Sequence, residues 1–199
     1  GKNSMTKGII FDLDGTLIQL PVNYDIIQNN LKEFFNTSKN LKPLIPTIIK
    51  LSKNDQNKII TSFNLICKEE ILASKNFKIM NDAIDILKFL KSKHLILCLV
   101  TMQCRDALEK ILKQMNISDL FDSTISRDEN YDRFEQIQKS LNNISMPPSE
   151  IIVVGDRIHD VESAQKAGCV PVLKINEIKK MPPFNCKIIK NLVEIKEII

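Results

Sequence analysis

The run Gly8-Ile9-Ile10-Phe11 leads without a break into Asp12-Leu13-Asp14-Gly15-Thr16-Leu17. A short apolar run bounded by turn residues suits a strand buried on both faces of a parallel sheet. Two carboxylates one residue apart at its end are costly to bury unless a cation or hydrogen-bond donors meet them. Gly15 lets the chain turn away at once. In open α/β sheets, ligands sit outside the carboxyl ends of the strands. The stretch therefore predicts an acidic site on a sheet edge that needs a metal ion.

The chain downstream supplies the rest of such a sheet. Leu95–Val100, Phe121–Ile125, Ile151–Val154, Val170–Ile175 and the weaker Lys187–Ile189 read as strands. Between them, helical patterns start at Asn81 or Asp82 and cover Asp106–Gln114, Phe134–Leu141 and Val161–Ala167, with a last one over Leu192–Ile199. Strands alternating with helices predict an α/β, Rossmann-like parallel sheet covered on both faces. Residues 22–76 differ, with helical periodicity and no strand. One face there is Tyr24, Ile27, Leu31, Phe34 and Phe35. A second helix is expected after Pro46, over Thr47–Ser52. A third runs from the N-cap Asp55 to Ser74, with Ile59, Ile60, Phe63, Ile66, Cys67, Glu70 and Ile71 on its face. The expected organisation is an α/β core of residues 1–19 and 79–199 with a small all-α insertion, residues 20–78.

Composition narrows the function classes. A net charge of +4 over 199 residues, no Trp and no Arg-rich stripe argue against a nucleic-acid surface. No apolar run approaches the roughly 20 residues of a membrane span. Gly1–Met5 lacks the apolar segment of a signal peptide. Cys67, Cys98, Cys104, Cys169 and Cys186 form no CxxC pair, so unpaired thiols in a reducing cytoplasm are expected.

Three strand ends present polar groups on one edge. They are Asp12 and Asp14, then Thr101, then Asp156 with Asp160. Carboxylates converging there would repel one another, and a hard divalent cation such as Mg²⁺ resolves this. Two structural roles compete with chemistry: helix N-caps for Thr101 and Asp160, and a surface ion pair with Asp132 or Glu135 for Arg133.

Together, Phe11-Asp12-Leu13-Asp14-Gly15-Thr16-Leu17, Leu97-Cys98-Leu99-Val100-Thr101 and Val153-Val154-Gly155-Asp156-Arg157-Ile158-His159-Asp160 resemble the first, second and fourth motifs of the haloacid dehalogenase superfamily. The resemblance spans nearly the whole chain. It implies that Asp12 is a nucleophile forming an aspartyl-phosphate and that Asp14 is the general acid and base. Phosphate contacts would come from Thr16, Thr101, Met102, Gln103 and Arg133. Mg²⁺ would be held by Asp12, by Asp14 through its backbone carbonyl, by Asp156 and by Asp160. The segment 20–78 would be a helical cap. Asp14 favours phosphate-ester chemistry, because dehalogenases of the superfamily lack an acid there. The third motif departs from the family, which places a lysine before the helix leading to the fourth motif. Here Arg133 is the best occupant, and Arg127 and Lys139 are weaker ones.

The function implied is a Mg²⁺-dependent phosphatase acting on a small phosphorylated metabolite, as a cytoplasmic monomer or homodimer with neither nucleic-acid nor membrane partner. A phosphomutase and a weakly active homologue that binds a phosphorylated ligand or a protein are the alternatives.

Overall fold

The computed structural model describes residues 5–176 and 181–199; Gly1–Ser4, most of the N-terminal stretch discussed above, lie outside them. Its first strand, β1 (Gly8–Asp12), is buried along its whole length. The order in its sheet is β5-β4-β1-β6-β7-β8. The partners are β4 (Ile96–Val100), β5 (Ser123–Ile125), β6 (Ile151–Gly155), β7 (Val170–Lys174) and β8 (Lys187–Ile189), all paired in parallel.

The alternation of side chains explains why β1 is apolar throughout. Ile9 and Phe11 join Leu97, Leu99, Ile152 and Val154 on one face. That face packs on Ile86, Leu87 and Leu90 of α4 (Ala83–Ser92) and on Leu108 and Ile111 of α5 (Arg105–Met115). Ile10 points the other way, with Cys98, Val100, Ile151 and Val153, onto Ile137 and Leu141 of α6 (Arg133–Ile144) and Ala164 of α7 (Ile158–Lys166). Successive strand residues therefore feed two separate cores. β1 lies between β4 and β6, where the strand order reverses and the open crevice forms at the carboxyl ends.

Three helices interrupt this unit: α1 (Tyr24–Phe35), α2 (Leu44–Ser52) and α3 (Gln56–Ala73). They enclose a core of their own, Ile27, Leu31, Leu41, Ile48 and Ile66. Asp55 caps α3 by accepting from the Asn57 and Lys58 amides. The helix α2 begins at Leu44 rather than after Pro46. Pro46 falls in its first turn, where the missing N–H has no intrahelical partner to lose. Tyr24, Phe34 and Ile60, expected on buried faces, are exposed. A short antiparallel pair, β2 (Ile18–Gln19) with β3 (Lys78–Ile79), closes the base of the segment, and no pattern of residues announces it. The last helix is a 3-10 helix over Leu192–Glu197.

The expectation of unpaired cysteines fails at one pair. Cys67 on α3 and Cys104 at the start of α5 are disulfide-bonded, with Cα atoms 5.6 Å apart. They lie 37 residues apart in sequence, and only the packing of α3 against α5 brings them together. Cys98 and Cys169 are buried free thiols, as expected. Among the described residues no helix is long and apolar enough to cross a membrane.

Leu31 is fully buried in the helical segment's core. Leu31→Ala is expected to lower the unfolding free energy by about 2–5 kcal/mol, read from the urea midpoint. A loss below about 1 kcal/mol would mean that the three helices do not pack around it.

Candidate active site

Asp12 shares the β1 face of Ile10, so its carboxylate points toward the α6 and α7 layer. There it meets Arg133, the first residue of α6, whose start is fixed by Asp132 accepting from the Glu135 amide. Arg133 Nη2 donates to Asp12 Oδ1 at 2.9 Å, and Nε donates to Asp160 Oδ1 at 3.1 Å. Nη1 donates to Gln136 Oε1 at 2.9 Å, one turn along α6. Gln136 Nε2 in turn donates to the Thr101 carbonyl at 2.8 Å and to the Asn130 carbonyl at 2.8 Å. A single buried guanidinium thus ties together the ends of β1, β4 and the β6–α7 connection. The surface ion pair with Asp132 or Glu135 does not form, because Arg133 is only 5% exposed.

Asp12, Asp156 and Asp160 each offer an oxygen, and these oxygens lie within 4.8 Å of one another. Asp160 sits in the first turn of α7, not at its N-cap, and its Oδ2 accepts from the Arg157 amide. Asp156 Oδ1 is buried with no hydrogen-bond donor. The approach is close enough that a Cβ at Gly15, whose φ is +86°, would collide with the Asp156 carboxylate. A Cβ at Gly155 would collide with Asp160. Burial pushes the Asp12 carboxyl well above the usual carboxylate range, and Arg133 opposes this while Asp160 and Asp156 add to it. Burial likewise raises Asp156. Arg133 pairs with Asp12 and Asp160 but not with Asp156, where the charge of Arg157 opposes the effect of burial. All the cluster's donors are hard oxygens, and an orphaned one faces inward, which fits Mg²⁺.

The other predicted residues divide. Asp14 is half-buried and stands outside the three-carboxylate cluster. Its Oδ1 accepts from the Leu20 amide at 2.9 Å, and burial raises its pKa. Thr16 is fully buried, and its hydroxyl has no partner. Thr101 is not the N-cap of α5, a position held by Cys104. Its hydroxyl instead accepts from the Gln103 amide at 3.1 Å, which shapes the loop after β4. Gln103 is buried with Oε1 unpartnered, and the Met102 carbonyl accepts from Arg127 Nη1. Arg127 turns to Glu70 on α3, pairing through both nitrogens at 2.8 Å.

Three residues were missed by sequence reasoning. Gln136 has a spacing signal, one turn after Arg133 on the same helix face. Glu70 was visible as a lone carboxylate on an apolar face. Lys174, buried at the end of β7, donates to Asn176 Oδ1 at 2.6 Å. Asn176 Nδ2 then donates to the Gly15 carbonyl at 3.0 Å. Its signal is a lysine closing an apolar strand.

Known proteins resemble this chain over most of its length. The family model for haloacid dehalogenase-like hydrolases matches residues 9–173. PpaX of Clostridium perfringens is 30% identical over 177 residues, covering 82% of this chain and 81% of that protein. Pyrophosphatase PpaX of Oceanobacillus iheyensis is 28% identical over 173 residues, covering 81% and 79%. Among solved structures, a phosphatase of the same superfamily from Thermococcus onnurineus superposes with a TM-score of 0.70 at 23% identity, over 97% of each chain. A haloacid dehalogenase-like hydrolase from Streptococcus pneumoniae gives 0.72 at 18% identity, over 98% of each chain. At these identities the structural likeness is one of fold.

Because the folded-state pKa of Asp156 is raised, its ionisation costs stability as pH climbs above about 4, the unfolded value. Asparagine has no such cost. In chelator, Asp156→Asn is expected to raise the Tm by about 3 °C near neutral pH, with the gap closing toward about pH 4. Mg²⁺ should raise the wild-type Tm more than the variant's. A variant less stable than wild type in chelator at neutral pH would contradict this electrostatic reading.

Proposed function

The chain belongs to the haloacid dehalogenase-like hydrolase family, and on that premise we propose that it is a Mg²⁺-dependent phosphatase using an aspartyl-phosphate on Asp12. Its substrate is a small phosphate monoester. The observation that carries this reading is the 2.9 Å ion pair between Arg133 and Asp12, because it supplies the cation missing from the third motif.

In the proposed reaction an Asp12 carboxylate oxygen attacks phosphorus, and the bond from phosphorus to the leaving oxygen breaks. Asp14 donates the proton that the leaving oxygen takes up. Burial raises its pKa, the direction a proton donor needs. Water then attacks the phosphorus of the acyl phosphate, Asp14 takes its proton, and the bond to Asp12 breaks, releasing inorganic phosphate. Arg133 favours the ionised form of Asp12 against the effect of burial and aims it, and its planar fork lets one side chain hold Asp160 as well. Thr16, Thr101, Met102 and Gln103 are proposed to contact the phosphoryl oxygens. The buried Thr16 hydroxyl, which has no partner, supports a donor to a phosphoryl oxygen on that edge. Mg²⁺ would be held by Asp12, the Asp14 carbonyl, Asp156 and Asp160, and when bound it supplies positive charge to the carboxylates and the phosphoryl group. Residues 20–78, with their separate core, are proposed as the cap that closes over the site and selects substrate.

The named activity of the PpaX relative from Oceanobacillus iheyensis adds inorganic pyrophosphate to the substrates worth testing. Hydrolysis of an aryl phosphate, sugar phosphates and pyrophosphate should require Mg²⁺. Asp12→Asn should reduce the rate at least about 10³-fold in a protein that circular dichroism shows to be folded. Equal rates for wild type and Asp12→Asn on every substrate would remove the phosphatase reading.

A further inference from the structure

The helical segment is fastened to the loop that carries Thr101. Glu70, one turn after Cys67 on α3, accepts from the Cys104 amide at 3.0 Å and from Arg127 through both carboxylate oxygens. Arg127 also donates to the Met102 carbonyl at 2.6 Å and the Phe63 carbonyl at 3.3 Å, and its amide donates to the Gln103 carbonyl. Residues 102–104 are therefore held by Glu70 and by an arginine that Glu70 neutralises. The Cys67–Cys104 bond is the covalent part of that fastening.

The five cysteines are not equivalent. Burial pushes the Cys98 and Cys169 thiols up to about 12, which makes them poor nucleophiles. Cys104, only 2% exposed, stands at the N-terminus of the 11-residue helix α5, where the helix dipole stabilises a thiolate. Cys67 is half-buried, which makes it the more exposed residue of the pair. Cys67, Glu70 and Cys104 could also together surround a metal ion. Glu70 is already committed to Arg127 and the Cys104 amide, however, which leaves two thiolates as a metal's ligands. That favours a disulfide over a metal.

We propose that Cys67 and Cys104 form a thiol–disulfide exchange site that fastens and releases the helical segment at the Thr101 loop, with small thiols and disulfides as co-reactants. In the opening direction an external thiolate attacks Cys67 Sγ, the Cys67–Cys104 bond breaks, and the electron pair leaves on Cys104 as a thiolate. Cys67 now carries a mixed disulfide. A second external thiolate attacks the outer sulfur and frees Cys67. The balance is one protein disulfide and two small thiols giving two protein thiols and one small disulfide. The closing direction is the reverse. This chemistry stands apart from the phosphatase reading; only its consequence for catalysis rests on that reading.

The test uses the full chain equilibrated with dithiothreitol or with glutathione disulfide, then alkylated under denaturing conditions and mapped by mass spectrometry. Two more cysteines should be alkylated after dithiothreitol, and they should map to positions 67 and 104. In Cys104→Ser, glutathione disulfide should leave a glutathione adduct on Cys67, whereas Cys67→Ser should leave Cys104 unmodified. Amide hydrogen exchange over residues 101–105 and 63–70 should be at least about threefold faster in the dithiol form. Equal alkylation under the two conditions would overturn the exchange site, and so would a zinc ion held by the wild type and lost in Cys67→Ser. Unchanged hydrogen exchange would overturn the fastening role. None of these readouts involves turnover, so an inactive protein would disprove the phosphatase reading and leave this one standing.

Discussion

One buried guanidinium decides how the edge of this sheet is arranged. Asp12 and Asp160 are carried there by β1 and α7, and each gives an oxygen to Arg133. Without that cation, Asp12 and Asp160 would face each other and Asp156 with no ion-pair partner of their own. Removing one partner of a buried pair typically costs about 3–5 kcal/mol. The third arm of the guanidinium reaches Gln136, and through it the backbone after β4. The geometry of three strand ends therefore follows from one residue at the first position of α6. Three carboxylate oxygens within 4.8 Å of one another are the donor set on which the Mg²⁺ proposal rests.

A second arginine, six positions earlier, does the corresponding work on the other side of the loop. Both terminal nitrogens of Arg127 go to Glu70, Met102 and Phe63, its buried Nε has no partner, and its guanidinium lies 5.2 Å from the centre of the Phe63 ring. Phe63, read from the sequence as part of the helical segment's own core, also packs edge-on against Tyr131 of the α/β unit. The seam between the two parts is thus ionic, aromatic and covalent at once. A loop held from both sides is preorganised, and preorganised donors are what charge development in a transition state rewards.

The sheet, its two helical layers and the acidic edge were legible in the sequence because each is a local pattern. Ile9–Phe11 and Ile151–Val154 announce buried strands, and the aspartates that follow them announce the edge. Arg133 was also legible, by counting back from its helix. What was not legible depends on contacts distant in sequence. The Cys67–Cys104 bond needs α3 to lie on α5, and Glu70 gains its meaning only from Arg127, 57 positions away. Lys174 has the same character, since its link to the Gly15 turn passes through Asn176. The start of α2 was misplaced for a local reason: Pro46 ends a helix in its interior but is tolerated in its first turn.

The central claim is that Arg133 does the work of the family's third-motif lysine. The most direct measurement is phosphatase turnover of Arg133→Lys and Arg133→Met beside wild type, with circular dichroism to establish folding. The account predicts that Arg133→Met, folded, loses at least about 10²-fold in kcat/KM and that Arg133→Lys recovers most of that loss by restoring the charge. A folded Arg133→Met variant with wild-type turnover would contradict it.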